Sequence, residues 1–350
     1  MTEQPGLVIL FGSGERSPSA RSIWDWLFDQ LTPPIQVAIL ETPAGFEPNS
    51  ALVAGRMADF IDHHLRNHQP QTIVVPARKR GTPFSPDDPD ILKPMLNADV
   101  LFIGPGSPTY AVRQLEDSLA WEILAARHQM GTAIVLASAA AIAVGAHALP
   151  VYEIYKVGED LHWHRGLNFF EQYGLSPVFI PHWNNTEGGA DLDTSRCYMG
   201  QERFAQLLTL LPSDAMVVGI EEHTALILDV AEKTCHIRGS GGVTLLQRGE
   251  ARHFGTGRTF ALTELGAGQM PLPGAHIRPK VLQLIHTVQT AHPSNPEPPD
   301  EVRELVDQRQ KARACRDWAR ADELREDIAA LGWRVLDTRQ GPQLEPVGDR

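Results

Sequence analysis

Thr132-Ala-Ile-Val-Leu-Ala-Ser138-Ala-Ala-Ala-Ile-Ala-Val-Gly145 changes character at a single residue. Before Ser138 the run is apolar and β-branched, the pattern of a parallel strand buried on both faces. After it come small residues with Ile142 and Val144, the pattern of a tightly packed helix, and no loop intervenes. A serine on so sharp a strand-to-helix turn lifts its hydroxyl clear of the sheet. The N–H groups of the new helix then point toward whatever the oxygen attacks. The stretch therefore predicts a nucleophile elbow at Ser138. The competing reading is a plain helix N-cap, a common role for serine at such a junction. Elbows normally carry glycine two residues before and after the nucleophile, whereas here those positions hold Leu136 and Ala140.

Upstream, short apolar runs at residues 6–11, 35–40, 72–75 and 100–103 read as strands. They alternate with helical patterns at 19–31, 49–68, about 91–96 and 110–130. This alternation predicts an α/β fold, a three-layer α/β/α arrangement around a mostly parallel sheet. Ligands of such sheets sit beyond the carboxyl ends of the strands, where Gly104-Pro-Gly106 and Ser138 both fall. Downstream, residues 177–181 make a strand ending at His182, and 195–211 a helix. From residue 216 the runs at 216–220, 225–230, 234–237, 243–247 and 258–263 predict an antiparallel extension, closed by a helix at 278–290. Residues 1–290 then form one domain. Residues 291–299 carry four prolines and read as a semi-rigid linker. Residues 300–350 predict a small helical hairpin module. Its helices are capped by Asp300 and Asp317, bury Val302, Leu305, Val306, Leu324, Ile328 and Leu331, and lead to a terminal hairpin.

Composition narrows the function classes. With 350 residues, 42% apolar and 21% charged, the chain suits a soluble globular protein of about two domains, and a net charge of −12 argues against a general nucleic-acid surface. Three widely spaced cysteines make neither a disulfide framework nor a thiolate zinc site and fit a reducing compartment. The first residues lack the basic and apolar regions of a signal peptide, and no uncharged apolar run is long enough to span a membrane. A cytoplasmic location is expected.

The residues around the elbow resemble the S51 peptidase family, that of dipeptidase E and cyanophycinase, on the class I glutamine amidotransferase-like fold. Ala137-Ser138-Ala139-Ala140-Ala141 resembles its Thr/Trp-Ser-Ala-Gly-Ala run, and Phe102-Ile103-Gly104-Pro105-Gly106 its strand followed by three glycines. Gly166-Leu167 and Ile180-Pro181-His182-Trp183 resemble its Gly-Leu-Gly-Leu and His-Phe stretches. Gly219-Ile-Glu-Glu-His-Thr-Ala-Leu226 is similar to the Gly-Ile-Asp-Glu-x-Thr-Ala-Leu stretch of cyanophycinase relatives. The last fifty residues resemble another family, the C-terminal end of cysteinyl-tRNA synthetase, through Arg309-Gln-Lys-Ala-Arg313, the run from Asp317 to Arg325 and Leu336-Asp-Thr-Arg-Gln-Gly341. The His-x-Gly-His and Lys-Met-Ser-Lys-Ser motifs of that synthetase are missing, so tRNA charging is not expected.

The resemblance implies a serine hydrolase or peptidase cutting a small peptide or amide through an acyl-enzyme. Ser138 would attack and His182, ending a strand, would serve as base. By spacing, Glu153 is the expected orienting carboxylate, fifteen residues after Ser138, with Glu159 and Asp160 as rivals. The oxyanion would be held by the N–H groups of Gly106 and Ala139, Pro105 having removed one donor. No cofactor is expected: His162-Trp-His164 has no evident third metal ligand, and Gly12-Ser-Gly14 and Gly239-Ser-Gly-Gly242 read as turns. The alternative is an inactive binding module of the same fold whose tail contacts tRNA or a protein partner. Residues 300–350 carry 10 Lys/Arg against 12 Asp/Glu, so solvated helix faces are the simpler reading of the tail's arginines.

Overall fold

A computed structural model describes residues 4–266, 277–291, 298–315, 317–338 and 341–346. It divides the chain into two compact units, Met1–Ile285 and His286–Arg350. The first unit follows the expected alternation: β1 Val8–Phe11, α1 Pro18–Phe28, β2 Ile35–Leu40, α2 Ser50–His64, β3 Pro70–Val75 and β4 Val100–Ile103. Two helices follow, α3 Pro108–Leu115 and α4 Leu119–Gln129, where one was expected over residues 110–130. The break has a local cause: Asp117 takes a left-handed φ of 56°, and Ser118 caps the new helix by accepting from the Trp121 N–H. Then come β5 Ala133–Ala137 and α5 Ala139–Ala143, with Ser138 between them.

Five strands make the parallel half of an eight-stranded sheet. β5 is central, between β1 and β4, with β2 and β3 beyond β4. All five residues of β5 are buried, as a strand covered on both faces requires. On one face Trp24, Phe28, Met57 and Ile61 of α1 and α2 pack on Ile9, Phe11, Phe102 and Val135. The other core joins α3 and α5 to a second sheet.

The later strands divide between the two sheets. After β6 Val178–Ile180 and α6 Gly200–Thr209 come β7 Val217–Ile220, β8 Thr224–Asp229, β9 Thr234–Gly239, β10 Gly242–Gln247, β11 Glu250–Gly255 and β12 Thr259–Ala261. Here β8, β9 and β12 extend the main sheet antiparallel from β1, giving the order β12-β9-β8-β1-β5-β4-β2-β3. The others form a separate sheet of order β11-β10-β7-β6. The extension is thus shared with a second layer. β11, which was not expected, is largely exposed and has no apolar alternation to betray it. α6 starts at Gly200 rather than 195, because Arg196, Cys197 and Tyr198 take left-handed backbone. Among the described residues no helix is long and apolar enough to cross a membrane.

α7 Pro279–Ala291 contains the division between the units and occupies the helix expected at 278–290. Most of the expected linker, residues 292–297, lies outside the described residues. The second unit holds α8 Asp300–Ala314, α9 Trp318–Ala330 and the antiparallel pair β13 Trp333–Thr338 and β14 Gly341–Pro346. Its small core is Val302, Val306, Ile328, Trp333 and Val335. Asp317 caps α9 as expected, but Pro299 occupies the cap position of α8 and Asp300 its first turn. Leu331, expected inward, is 42% exposed because α9 ends before it.

Gly12, just after β1, is where the two sheets meet. Its N–H donates to Thr224 O (2.9 Å), its carbonyl accepts from the His182 N–H (3.0 Å), and a Cβ there would lie 2.1 Å from Glu221 O. Since those neighbours are backbone, Gly12→Ala should lower stability by about 1–3 kcal/mol, read from urea unfolding; an unchanged midpoint would contradict this packing.

Candidate active site

Ser138 has φ 52° and ψ −112°, a conformation costly for any residue with a side chain, and its hydroxyl makes no capping bond to α5. The N-cap reading therefore fails. A flanking parallel strand on each side holds the turn: Phe11 pairs with Ala137 and Ile103 with Leu136. The hydroxyl meets His182 instead, with Oγ 3.1 Å from Nε2.

His182 follows β6 and also has positive φ, 52°. Its backbone is tied down on every side. Besides the bond to Gly12, its carbonyl accepts from Asn185 (3.2 Å) and Cys197 (3.2 Å) N–H groups, and the next residue, Trp183, donates to Ile220 O (3.1 Å). The Arg196 guanidinium covers the Trp183 ring at 3.9 Å.

The carboxylate on His182 Nδ1 is Glu222, at 2.9 Å, and not Glu153. Glu153 begins a single π-helical turn, Glu153–Val157, and accepts instead from the Thr109 hydroxyl. Glu159 and Asp160 are exposed, and Asp160 offers its carbonyl to His162 Nδ1 (2.9 Å). Glu222 is itself held: Oε1 accepts from Asn185 Nδ2 (2.9 Å), and its N–H donates to Asn184 Oδ1 (2.8 Å). Its signal was the stretch from Gly219 to Leu226; spacing from the serine pointed elsewhere.

The order of charges fixes the tautomer. An ionised carboxylate only accepts, so Nδ1 carries the proton toward Glu222 and the neutral ring presents the Nε2 lone pair to Ser138. The side chains of His182 and Glu222 are only 15% and 24% exposed. The hydrogen bond from His182 holds the Glu222 carboxyl below the usual glutamate range, reinforced by Asn185 and opposed by burial.

Ser138 and His182 open into a cavity of about 400 Å³ lined also by Gly106, Ala139, Ile142, Tyr152, Tyr155, Lys156, Glu187, Cys197 and Tyr198. Gly106 and Ala139 N–H groups have no acceptor among the described residues. Gly106 needs to be glycine: φ is 144° and a Cβ would lie 2.0 Å from Pro43 O. Cys197 is no rival nucleophile, since burial pushes its thiol up to about 12. Among the described residues no three His, Cys, Asp or Glu converge as metal ligands.

Residues 295–343 match the anticodon-binding domain of cysteinyl-tRNA ligase. Cysteine–tRNA ligase 1 of Burkholderia lata is 52% identical over 46 residues, 13% of this chain and 10% of that protein. The ligase of Streptococcus mutans is 51% identical over 41 residues, 12% and 9%. The chain thus spans about a tenth of the length of these ligases. A solved peptidase from an acI-B1 Actinobacterium covers 75% of this chain and 98% of its own, with a TM-score of 0.59 and 20% identity. That likeness is one of fold: the larger part of the chain shares the α/β fold of that protein, and the tail is of the ligase type.

A carboxyl with a lower pKa folded than unfolded stabilises the fold above its unfolded value, about 4.3, and loses that contribution as pH falls through the folded value. In a carbon-13 NMR titration Glu222 should therefore titrate below about 4.3, and its midpoint should rise in His182→Ala. An unmoved midpoint would mean that the imidazole does not hold it.

Proposed function

We propose that the first domain, residues 1–290, is a serine hydrolase that cuts a small peptide or amide through an acyl-enzyme. The observation that carries this reading is the strained, uncapped Ser138 with Oγ 3.1 Å from His182 Nε2. Ser138 Oγ attacks the substrate carbonyl carbon while Nε2 takes its proton. Glu222 keeps the imidazole oriented and stabilises its positive charge, the role first expected of Glu153. The oxyanion that develops faces the N–H groups of Gly106 and Ala139. The imidazolium returns its proton to the leaving amine, and water then repeats the sequence on the acyl-enzyme. A fluorophosphonate probe should label Ser138 alone, and Ser138→Ala should lose about four to six orders of magnitude in kcat on a dipeptide panel. Equal hydrolysis by variant and parent would end the proposal.

A second reading concerns the tail, residues 300–350, and draws on its match to an anticodon-binding domain: contact with tRNA, in the reducing cytoplasmic setting that three free cysteines suit. Contacts of the tail's Lys and Arg side chains with phosphate would make that binding weaken as salt rises. Mobility-shift titrations of the full chain should show anticodon-dependent binding that is tightest at low salt. No binding at low salt would remove this reading.

A further inference from the structure

We propose that Phe46, Tyr110 and Tyr152 form a subsite, continuous with the Ser138 cavity, that takes a large apolar or aromatic side chain of the peptide substrate. The proposal rests on the hydrolase reading and names the substrate class for that site.

Phe46 is 46% exposed although the turn before it is buried, Thr42 at 0% and Ala44 at 4%. Its ring is held by two others from different segments, at 5.1 Å from Tyr110 and 6.5 Å, nearly edge-on, from Tyr152. Tyr110 is anchored through its hydroxyl, which donates to Arg78 O at 2.9 Å. Tyr152 lines the cavity that holds Ser138 and His182 and so links it to the Phe46 ring, while Tyr110, only 7% exposed, backs that ring from beneath.

This cluster of rings is also fixed to the oxyanion donors. The Ser107 N–H donates to Pro43 O at 2.9 Å, and Gly106 has no side chain where Pro43 approaches. The loop ending in Phe46 and the Gly106 loop are therefore tied together at Pro43. Tyr155, which lines the same cavity, is 37% exposed and adds apolar surface there. An aromatic ring already packed against two neighbours, one tilted and one edge-on, loses little rotamer freedom when a second ring lands on it, so most of the gain from burial is kept.

The test uses Ser138→Ala, which binds without turnover, and calorimetric titration with Phe-Ala, Ala-Phe and Ala-Ala. One phenylalanine dipeptide should bind about three- to tenfold more tightly than Ala-Ala, and adding Phe46→Ala should abolish that preference while leaving Ala-Ala binding unchanged. In the active parent, Phe46→Ala should raise KM for that dipeptide with kcat unaltered, and Phe46→Leu should restore part of the loss. Equal binding of all three dipeptides, no binding of any, or a preference that survives Phe46→Ala overturns the subsite. So does a dimer in sedimentation that Phe46→Ala dissociates, which would assign the ring to a second copy of the chain. Phe46-dependent binding without fluorophosphonate labelling of Ser138 would sink the hydrolase reading alone.

Discussion

The backbone of Ser138 is the constraint on which the site depends. A residue with a side chain held at φ 52° and ψ −112° costs about 1–3 kcal/mol, and it persists only where its surroundings over-determine it. They do so here. β5 ends between two parallel neighbours, its five residues are buried, and α5 starts at the next residue with Ala139 to Ala143 all buried. The chain cannot relax at the junction without dragging a strand out of register or a helix out of the core. Strain is thereby converted into the position of one oxygen, which needs no capping bond to stay where it is.

The second half of the site is fixed by a different means. His182 and Glu222 lie forty residues apart on the chain, and both abut Gly12, through the His182 N–H and through the neighbouring Glu221 and Thr224 carbonyls. One glycine at the end of β1 therefore sets the imidazole and its carboxylate relative to the sheet that holds Ser138. Asn184 and Asn185 complete the tie by binding the backbone and the carboxylate of Glu222. Hydrogen bonds to that carboxylate outweigh its partial burial, which is why its pKa falls rather than rises.

What could be read from residue order alone follows the range of the interactions. The strands of the parallel half and the elbow were legible because a doubly covered strand is a continuous apolar run and the change at Ser138 is abrupt. His182 was legible because it ends such a run. Glu222 was not, since its partnership comes from a crossover between sheets, and distance along the chain carries no trace of it. Glu153 shows the converse: a carboxylate at a plausible spacing accepts from the Thr109 hydroxyl instead. The exposed strand β11 and the break at Asp117 escaped for local reasons, the one lacking alternation and the other depending on a single left-handed residue.

The departures at Leu136, Ala140 and Pro105 test whether such a turn requires its usual glycines. Glycine is obligatory where a Cβ would collide or where φ is positive. Leu136 is an ordinary strand residue, paired on both sides and 1% exposed, and Ala140 a helical one at 2%. Neither position carries the positive φ, which is confined to Ser138. Both side chains are buried without forcing a positive φ, so the glycines are dispensable in this packing. Gly106 is different, because Pro43 O occupies the place of its Cβ. Pro105 removes a donor, but its ring restricts φ just before Gly106 and so stiffens the loop that lines the cavity. The glycine that sterics demand is retained, and those replaced are ones whose space the fold already fills.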